Sequence, residues 1–253
     1  MDFVRKNSIV RQIWGKGDTI LFIFAGASAE FALNKAVDWL YFTGRLPADP
    51  LGRLFSTVNY ARRIVFSPLE GAYKAIDSMA SIHSAVEKNR GARIPEWAYR
   101  DVLFMLIHYS IASYELLERK LSREEKEDVY DVFYRMGNRM GVKDLPSDYQ
   151  GWLEMREDHL NQNLACSHYT LDLFKQYRKH LGPVRYFLLK QGQVLVVPAQ
   201  VKRLLGMGNL SVLKIILPAY KLAKIMRLDW FFKSMILPVD YKKQIKDLDV
   251  SGA

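Results

Sequence analysis

The chain has a single cysteine, Cys166, among its 253 residues. One cysteine excludes an internal disulfide framework and a cysteine-rich metal site, and it fits a reducing compartment. We interpret Cys166 as a small buried apolar residue. The sequence also lacks a phosphate loop, a dinucleotide-binding glycine fingerprint, a His-Glu-x-x-His zinc motif and a Gly-x-Ser-x-Gly nucleophile motif. The common sites for nucleotides, for zinc and for serine-dependent hydrolysis are therefore not indicated.

Long hydrophobic runs are also missing. The two longest, residues 19–29 and 102–112, are well short of the ~20 residues that a helix needs to span a bilayer. The polar stretch 14–18 interrupts the N-terminal region before any apolar run begins, so it does not resemble a cleavable signal. We expect no transmembrane helix and a cytoplasmic location.

Acidic residues are scarce in the last third of the chain. Residues 175–253 hold 15 Lys/Arg against 4 Asp/Glu, whereas residues 1–174 are balanced, with 22 against 23. Basic and apolar residues alternate in 214–217 and in 221–227. This pattern is typical of a surface that lies on anionic lipid, and equally of a solvated helix face. No nucleic-acid module accompanies it, so we expect no nucleic-acid partner but a peripheral membrane contact.

Apolar residues recur every three or four positions along most of the chain, which predicts an all-α fold. We expect one globular multi-helix domain over 1–253, with a core at 14–205 and basic amphipathic helices at 206–253. The first long helix is predicted from Thr19 to Trp39 with Asp18 as its N-cap.

Local signals set the other helix ends. Asp49-Pro50 predicts a cap and a first helical position, and Gly91 and Gly141 predict helix ends. Ser122 and Glu125 have the spacing of a capping box. The apolar run 194–197 is predicted to be a buried helix rather than a strand, because Pro198 follows it and no partner run exists.

Two histidines are the best candidates for chemistry. His83 continues an apolar stripe in its helix, and His108 lies in a helix that is apolar on almost every side, seven residues from both Asp101 and Glu115. A polar stripe in a buried helix must be hydrogen-bonded or face a ligand. The pattern alone leaves both readings open. His159, His168 and His180 are interpreted as surface or core residues without a ligand role. The many aromatic residues, 14 Tyr, 13 Phe and 5 Trp, could enclose a flat apolar cofactor.

A set of short motifs resembles the MpaB and latex-clearing-protein oxygenase family. The set begins with Arg53-x-x-x-Thr57 and Ile82-His83-x-x-Val86, and His108 follows His83 by 25 positions. It continues with Leu121-Ser122-Arg123-Glu124-Glu125, Tyr130, Met140-Gly141-Val142 and Leu145-Pro146.

The resemblance implies a haem b-binding oxygenase domain that encloses haem between central helices. Such a domain uses dioxygen on an apolar, isoprenoid or lipid-like substrate and cleaves or hydroxylates it at a double bond. The family's iron ligand falls on His83, and its arginine and threonine near the haem fall on Arg53 and Thr57. His108 matches the second recurrent histidine, which would line the pocket or support it.

The chain departs from the rubber-cleaving branch at two places. Ser56 stands where that branch has a lysine able to occupy the sixth iron position, and serine is a poor haem ligand. Asp38 is the only nearby acidic candidate for that branch's distal glutamate. Polyisoprene is therefore in doubt as the substrate.

Two other functions fit the same residues. One is a non-catalytic helical protein that binds lipid or haem at a membrane. The other is a non-haem iron or zinc site that combines His83 and His108 with Asp101 or Glu115, since such metals accept histidine and carboxylate ligands.

Overall fold

A computed structural model of the chain describes residues 1–44 and 48–225. Within them the secondary structure is helical, apart from two isolated β-bridges, which confirms the all-α prediction. The helices are α1 (Ile9–Trp14), α2 (Gly17–Leu33), α3 (Asp38–Phe42), α4 (Pro50–Phe66), α5 (Leu69–Arg90), α6 (Glu96–Leu117), α7 (Arg123–Arg139), α8 (Tyr149–Gln162), α9 (His168–Val196), α10 (Ala199–Leu204) and α11 (Val212–Ile225).

Helix α2 is the centre of the bundle. It packs along α6 on one side and along α9 on another, while α1 and α7 close the core from a third. Gly26 of α2 lies directly against the ring of Tyr109 of α6, where a larger side chain would overlap the ring. The large side chains that are fully buried in this core include Trp14, Phe104 and Trp152. The two central helices are therefore fixed at close range.

Several predicted helix ends are confirmed. The Asp49 side chain accepts a hydrogen bond from the Gly52 N–H, and Pro50 is the first residue of α4. Ser122 and Glu125 form a complete capping box at the start of α7. Gly91 and Gly141 follow α5 and α7 with φ of 68° and 80°, a conformation that favours glycine. Residues 194–196 of the run 194–197 form the end of α9, as predicted, and Val197 caps the helix in an extended conformation.

Other predictions are wrong. Helix α2 begins at Gly17 after Lys16, so Asp18 is in the first turn and not the cap. The helix ends at Leu33 rather than Trp39, because Asn34 leaves the helical conformation and its side chain bonds the Ala36 N–H and the Asp101 carboxylate. Cys166 is exposed, in the loop before α9.

The predicted amphipathic C-terminal helices are represented by α11, and the remainder, residues 226–253, lies outside the described residues. The division of the chain at residue 205 stays a prediction. No described helix has the length and apolar content that crossing a membrane requires.

Candidate functional site

His83 lies on the inward face of α5, as its stripe predicts. The buried residues of this helix are all in its first half, at Ala72, Ala75 and Ile76, and His83 is half-buried. Its ring meets the Tyr99 ring of α6 edge-on, with 5.3 Å between centroids. The prediction of the face is confirmed, but the second half of α5 is less deeply buried than the first.

The His83 imidazole is held in its neutral form. Burial lowers its pKa below the ordinary value, and the positive charge of Arg53 lowers it further. The Met79 carbonyl and Glu87 oppose this shift. Among the described residues, Nδ1 of His83 is buried and finds no hydrogen-bond partner of good geometry. A neutral imidazole in this state is the form that binds a metal ion.

Arg53 and Thr57 approach from α4. Both are half-buried, and they stand one helical turn apart. The Thr57 hydroxyl donates a hydrogen bond to the Arg53 carbonyl at 3.2 Å. The effect of Arg53 on the pKa of His83 shows that the structure brings these two predicted residues together.

Helices α5 and α6 diverge after their shared turn. At the turn, Glu87 accepts hydrogen bonds from the Ile94 N–H at 2.9 Å and from the Tyr99 hydroxyl at 3.2 Å. Beyond it, α5 packs on α4 and α7 and makes little contact with α6. Consecutive antiparallel helices normally pack along their length. Here α7 packs against both helices instead.

His108 lies in a different cluster, deep between α6, α8 and α9. Burial, followed by the charge of Arg156, lowers its pKa to about 4, against the opposing effects of Glu30 and of the Val196 carbonyl. The ring is therefore neutral at pH 7. The structure does not bring His108 into the group formed by His83 and Arg53.

A buried ion pair supports the His108 cluster. The two terminal guanidinium nitrogens of Arg156 donate to Glu30 at 2.5 Å, and the Tyr109 hydroxyl donates to the same carboxylate at 2.7 Å. Glu30 is 1% exposed and Arg156 4%. This network was not predicted from the sequence. The feature of the sequence that could have revealed it is Glu30, the one charged residue between Thr19 and Leu33.

The polar stripe of α6 is hydrogen-bonded along its length. The buried Asp101 carboxylate accepts a bond from Asn34 at 2.9 Å and contacts Nδ1 of His159. Glu115 pairs with Lys120 at 2.8 Å and with Lys126 at 3.0 Å. The side chains of Asp101 and Glu115 are therefore hydrogen-bonded within the protein and do not face a ligand.

These contacts contradict the non-haem iron or zinc alternative. Asp101 and Glu115 are engaged elsewhere, and His83 and His108 lie in separate clusters. Within residues 1–44 and 48–225, no group of three histidine, cysteine or carboxylate side chains is arranged to hold a metal ion.

A cleft of about 460 Å³ runs along another side of α4. Ser56 lines it, together with Asn59, Tyr60 and Arg63, among others. Arg53, Thr57 and His83 do not. Ser56, the residue that departs from the rubber-cleaving pattern, thus faces this cleft.

Asp38 has a structural partner. Its carboxylate meets the guanidinium of Arg90 at 2.6 Å, and Arg90 also stacks over the Trp39 ring. The contact ties the start of α3 to the end of α5.

This arrangement defines a helical domain with a neutral, cation-flanked histidine on α5, next to Arg53 of α4 and Tyr99 of α6. A family model described as "ER-bound oxygenase mpaB/B'/Rubber oxygenase, catalytic domain" matches residues 12–228. Because the match covers most of the chain, the chain belongs to this family, and its functional class is that of an oxygenase catalytic domain. No curated protein and no solved structure shows significant similarity to the chain.

Proposed function

We propose that this chain is a haem b-dependent oxygenase with His83 as the iron ligand. It would use dioxygen to cleave or hydroxylate an apolar, isoprenoid or lipid-like substrate at a carbon–carbon double bond. The observation that carries the proposal is the state of His83: a neutral, half-buried imidazole whose Nδ1 makes no hydrogen bond of good geometry within the described residues, beside the cation of Arg53. Haem iron accepts a neutral imidazole on one face and, when bound, supplies the site and redox chemistry for dioxygen on the other.

Arg53 and Thr57 would bind and orient polar groups around that histidine. A guanidinium suits a carboxylate such as a haem propionate, and a hydroxyl on the next turn adds a second donor. Ser56 has no side chain that could ligate iron as a lysine would, and it faces the α4 cleft rather than His83. His108 would contribute indirectly, as a neutral side chain fixed between the Val196 carbonyl and the Glu30–Arg156 pair.

Helices α5 and α6 make little contact with each other beyond their turn. The aromatic ring of Tyr99 lies edge-on against His83, with 5.3 Å between the ring centroids. An aromatic side chain beside the proposed ligand suits binding of a flat apolar cofactor.

The visible spectrum of the purified full chain, reconstituted with haem, tests the ligand. The wild-type protein should have a Soret band, and His83→Ala should lose it while keeping its helical circular dichroism. His180→Ala is the matched control, because His180 is exposed, and it should keep the band. An unchanged haem content in His83→Ala would remove His83 from the assignment.

Oxygen uptake tests the reaction. With haem bound, the protein should consume dioxygen when a terpenoid or unsaturated lipid is added, and mass spectrometry should find oxygen in the product. A red protein that consumes no oxygen with any alkene would instead be a non-catalytic haem or lipid binder.

Peripheral contact with a membrane belongs to the same proposal. Apolar substrates of this class dissolve in lipid, and the last third of the chain is basic. An enzyme resting on the bilayer would take its substrate directly from it.

A further inference from the structure

Within the described part of the chain, one face of helix α11 contacts the bundle. The Tyr220 hydroxyl donates to Asp18 at 3.0 Å, and the Lys224 ammonium lies 2.7 Å from the same carboxylate and also contacts Glu118. Lys16 pairs with Glu118 at 3.0 Å and completes the cluster. This face holds α11 over the start of α2 and the end of α6.

The outward face of α11 is apolar. Ile215 is 81% exposed and Leu222 60%. Val212, Ile216 and Ala219 share this face at helical spacing and are also exposed. Water-facing apolar residues that follow one another along a helix mark an interaction site rather than random surface composition.

The apolar surface continues onto α9. The Gln191 carbonyl accepts a hydrogen bond from Ser211 at 3.0 Å, and its side chain accepts one from the Val212 N–H at 2.7 Å. Phe187, one turn before Gln191, is exposed, and so is Val184. The start of α11 therefore adjoins a second exposed apolar row.

The described segment that forms this surface is basic. Residues 173–225 contain ten Lys/Arg and no Asp/Glu. Lys214 is exposed and Lys221 half-buried, and both lie to one side of the apolar row. Apolar residues beside lysines complement the acyl region and the headgroups of an anionic bilayer.

We infer that this surface docks on a membrane containing anionic lipid. We call it the docking face and define it as Val184, Phe187, Leu210, Val212, Ile215, Ile216 and Leu222, with Lys214 and Lys221 at its edge. The inference rests on the proposed membrane contact and names the residues that make it. Ile215 and Leu222 enter the headgroup layer, while the lysines meet lipid phosphates.

Vesicle co-sedimentation of the full chain, without haem or substrate, tests the docking face. The protein should bind vesicles of phosphatidylcholine with phosphatidylserine, bind phosphatidylcholine alone weakly, and dissociate as salt rises. The double variant Ile215→Glu/Leu222→Glu should lower the partition coefficient on the order of tenfold or more. Leu171→Glu, an exposed apolar position in the first turns of α9, is the matched control and should bind like the wild type.

Three results would overturn the inference. One is an equal loss of binding in Leu171→Glu, and another is a wild-type protein that binds no vesicle. The third is a double variant that melts well below the wild type or changes its oligomeric state, because the face would then be covered by the chain itself or by a second copy. A negative result in the vesicle assay does not affect the Soret and oxygen-uptake experiments. Membrane docking and haem-dependent oxygenation can therefore fail independently of each other.

Discussion

The electrostatic effect of Arg53 on His83 is the most informative interaction at the scale of single residues. The sequence placed His83 on the inward face of its helix by periodicity alone. It could not show that Arg53, thirty positions earlier, would influence its charge, because that depends on how α4 packs against α5. The family resemblance supplied this pairing.

Substitution of Arg53 tests the pairing without a cofactor. In the apoprotein, Arg53→Ala should raise the pKa of His83, because a positive charge that disfavours the imidazolium is removed. NMR titration of the histidine ring protons measures this. Arg63→Ala, on the same helix in the α4 cleft, should leave the pKa unchanged. Equal titration curves for wild type and Arg53→Ala would contradict the electrostatic link.

The same substitution should affect the holoenzyme. If Arg53 orients the polar groups of the site, Arg53→Ala should lower kcat/KM by about 10²-fold, as is common when a positioned charge is lost. Arg53→Lys should recover only part of this, because an ammonium cannot reproduce the planar fork. Steady-state oxygen uptake measures both variants. Full activity in Arg53→Ala would exclude the role.

Removal of Glu30 should destabilise the fold. Glu30→Gln leaves the buried guanidinium of Arg156 without its counter-charge, which typically costs 3–5 kcal/mol. Urea unfolding followed by circular dichroism measures the free energy of unfolding. Glu70→Gln breaks an exposed pair with Lys74 and should change it by less than about 0.5 kcal/mol. A small effect of Glu30→Gln would mean that the network is not buried as described.

At the scale of elements, α2 and α6 are held together by a close approach. A side chain added at Gly26 would overlap the Tyr109 ring, and Tyr109 in turn bonds Glu30. Gly192 of α9 also faces α2, but the nearest atoms to an added Cβ there are 3.6 Å away, at ordinary contact distance. The two glycines thus differ in how much space surrounds them.

Paired alanine substitutions measure that difference. Gly26→Ala should lower the free energy of unfolding by roughly 1–3 kcal/mol, since the ring must move out of a filled core. Gly192→Ala should be neutral or slightly stabilising, because alanine favours the helix. Thermal melts compare them. Equal effects would contradict the helix spacing.

The elements also show why some boundaries could be predicted. Caps such as Ser122 and Asp49 act through neighbours three residues away, so their signals are visible in the sequence. The end of α2 at Asn34 depends on Asp101, a residue 67 positions later, and no local pattern contains it. The exposure of Cys166 likewise follows from where the α8–α9 loop lies.

For the whole molecule, two buried histidines predict acid sensitivity. The folded pKa of both His108 and His159 is about 4, lowered mainly by burial from 6.5. The unfolded chain therefore binds protons first as the pH falls, and stability declines from about pH 6.5 toward pH 4. The slope contributed by each group is at most about 1.4 kcal/mol per pH unit. Above pH 6.5 neither histidine changes stability.

Substitution of single histidines shows which residue causes the loss of stability at acid pH. Urea unfolding at a series of pH values should give a shallower acid slope for His159→Gln than for the wild type. His180→Gln, at an exposed site, should keep the original slope. Stability that is flat between pH 6.5 and 4 would contradict the buried, neutral state of these rings.

The cluster of Asp18, Glu118, Lys16 and Lys224 also sets how the molecule is oriented. It joins the first turn of α2 to the last residues of α6. These two antiparallel central helices therefore have one end each beneath α11. If α11 rests on lipid, both helices extend away from the bilayer. His108 then lies up to roughly 15 Å farther from the bilayer than Glu118, because ten helical residues separate the two along α6.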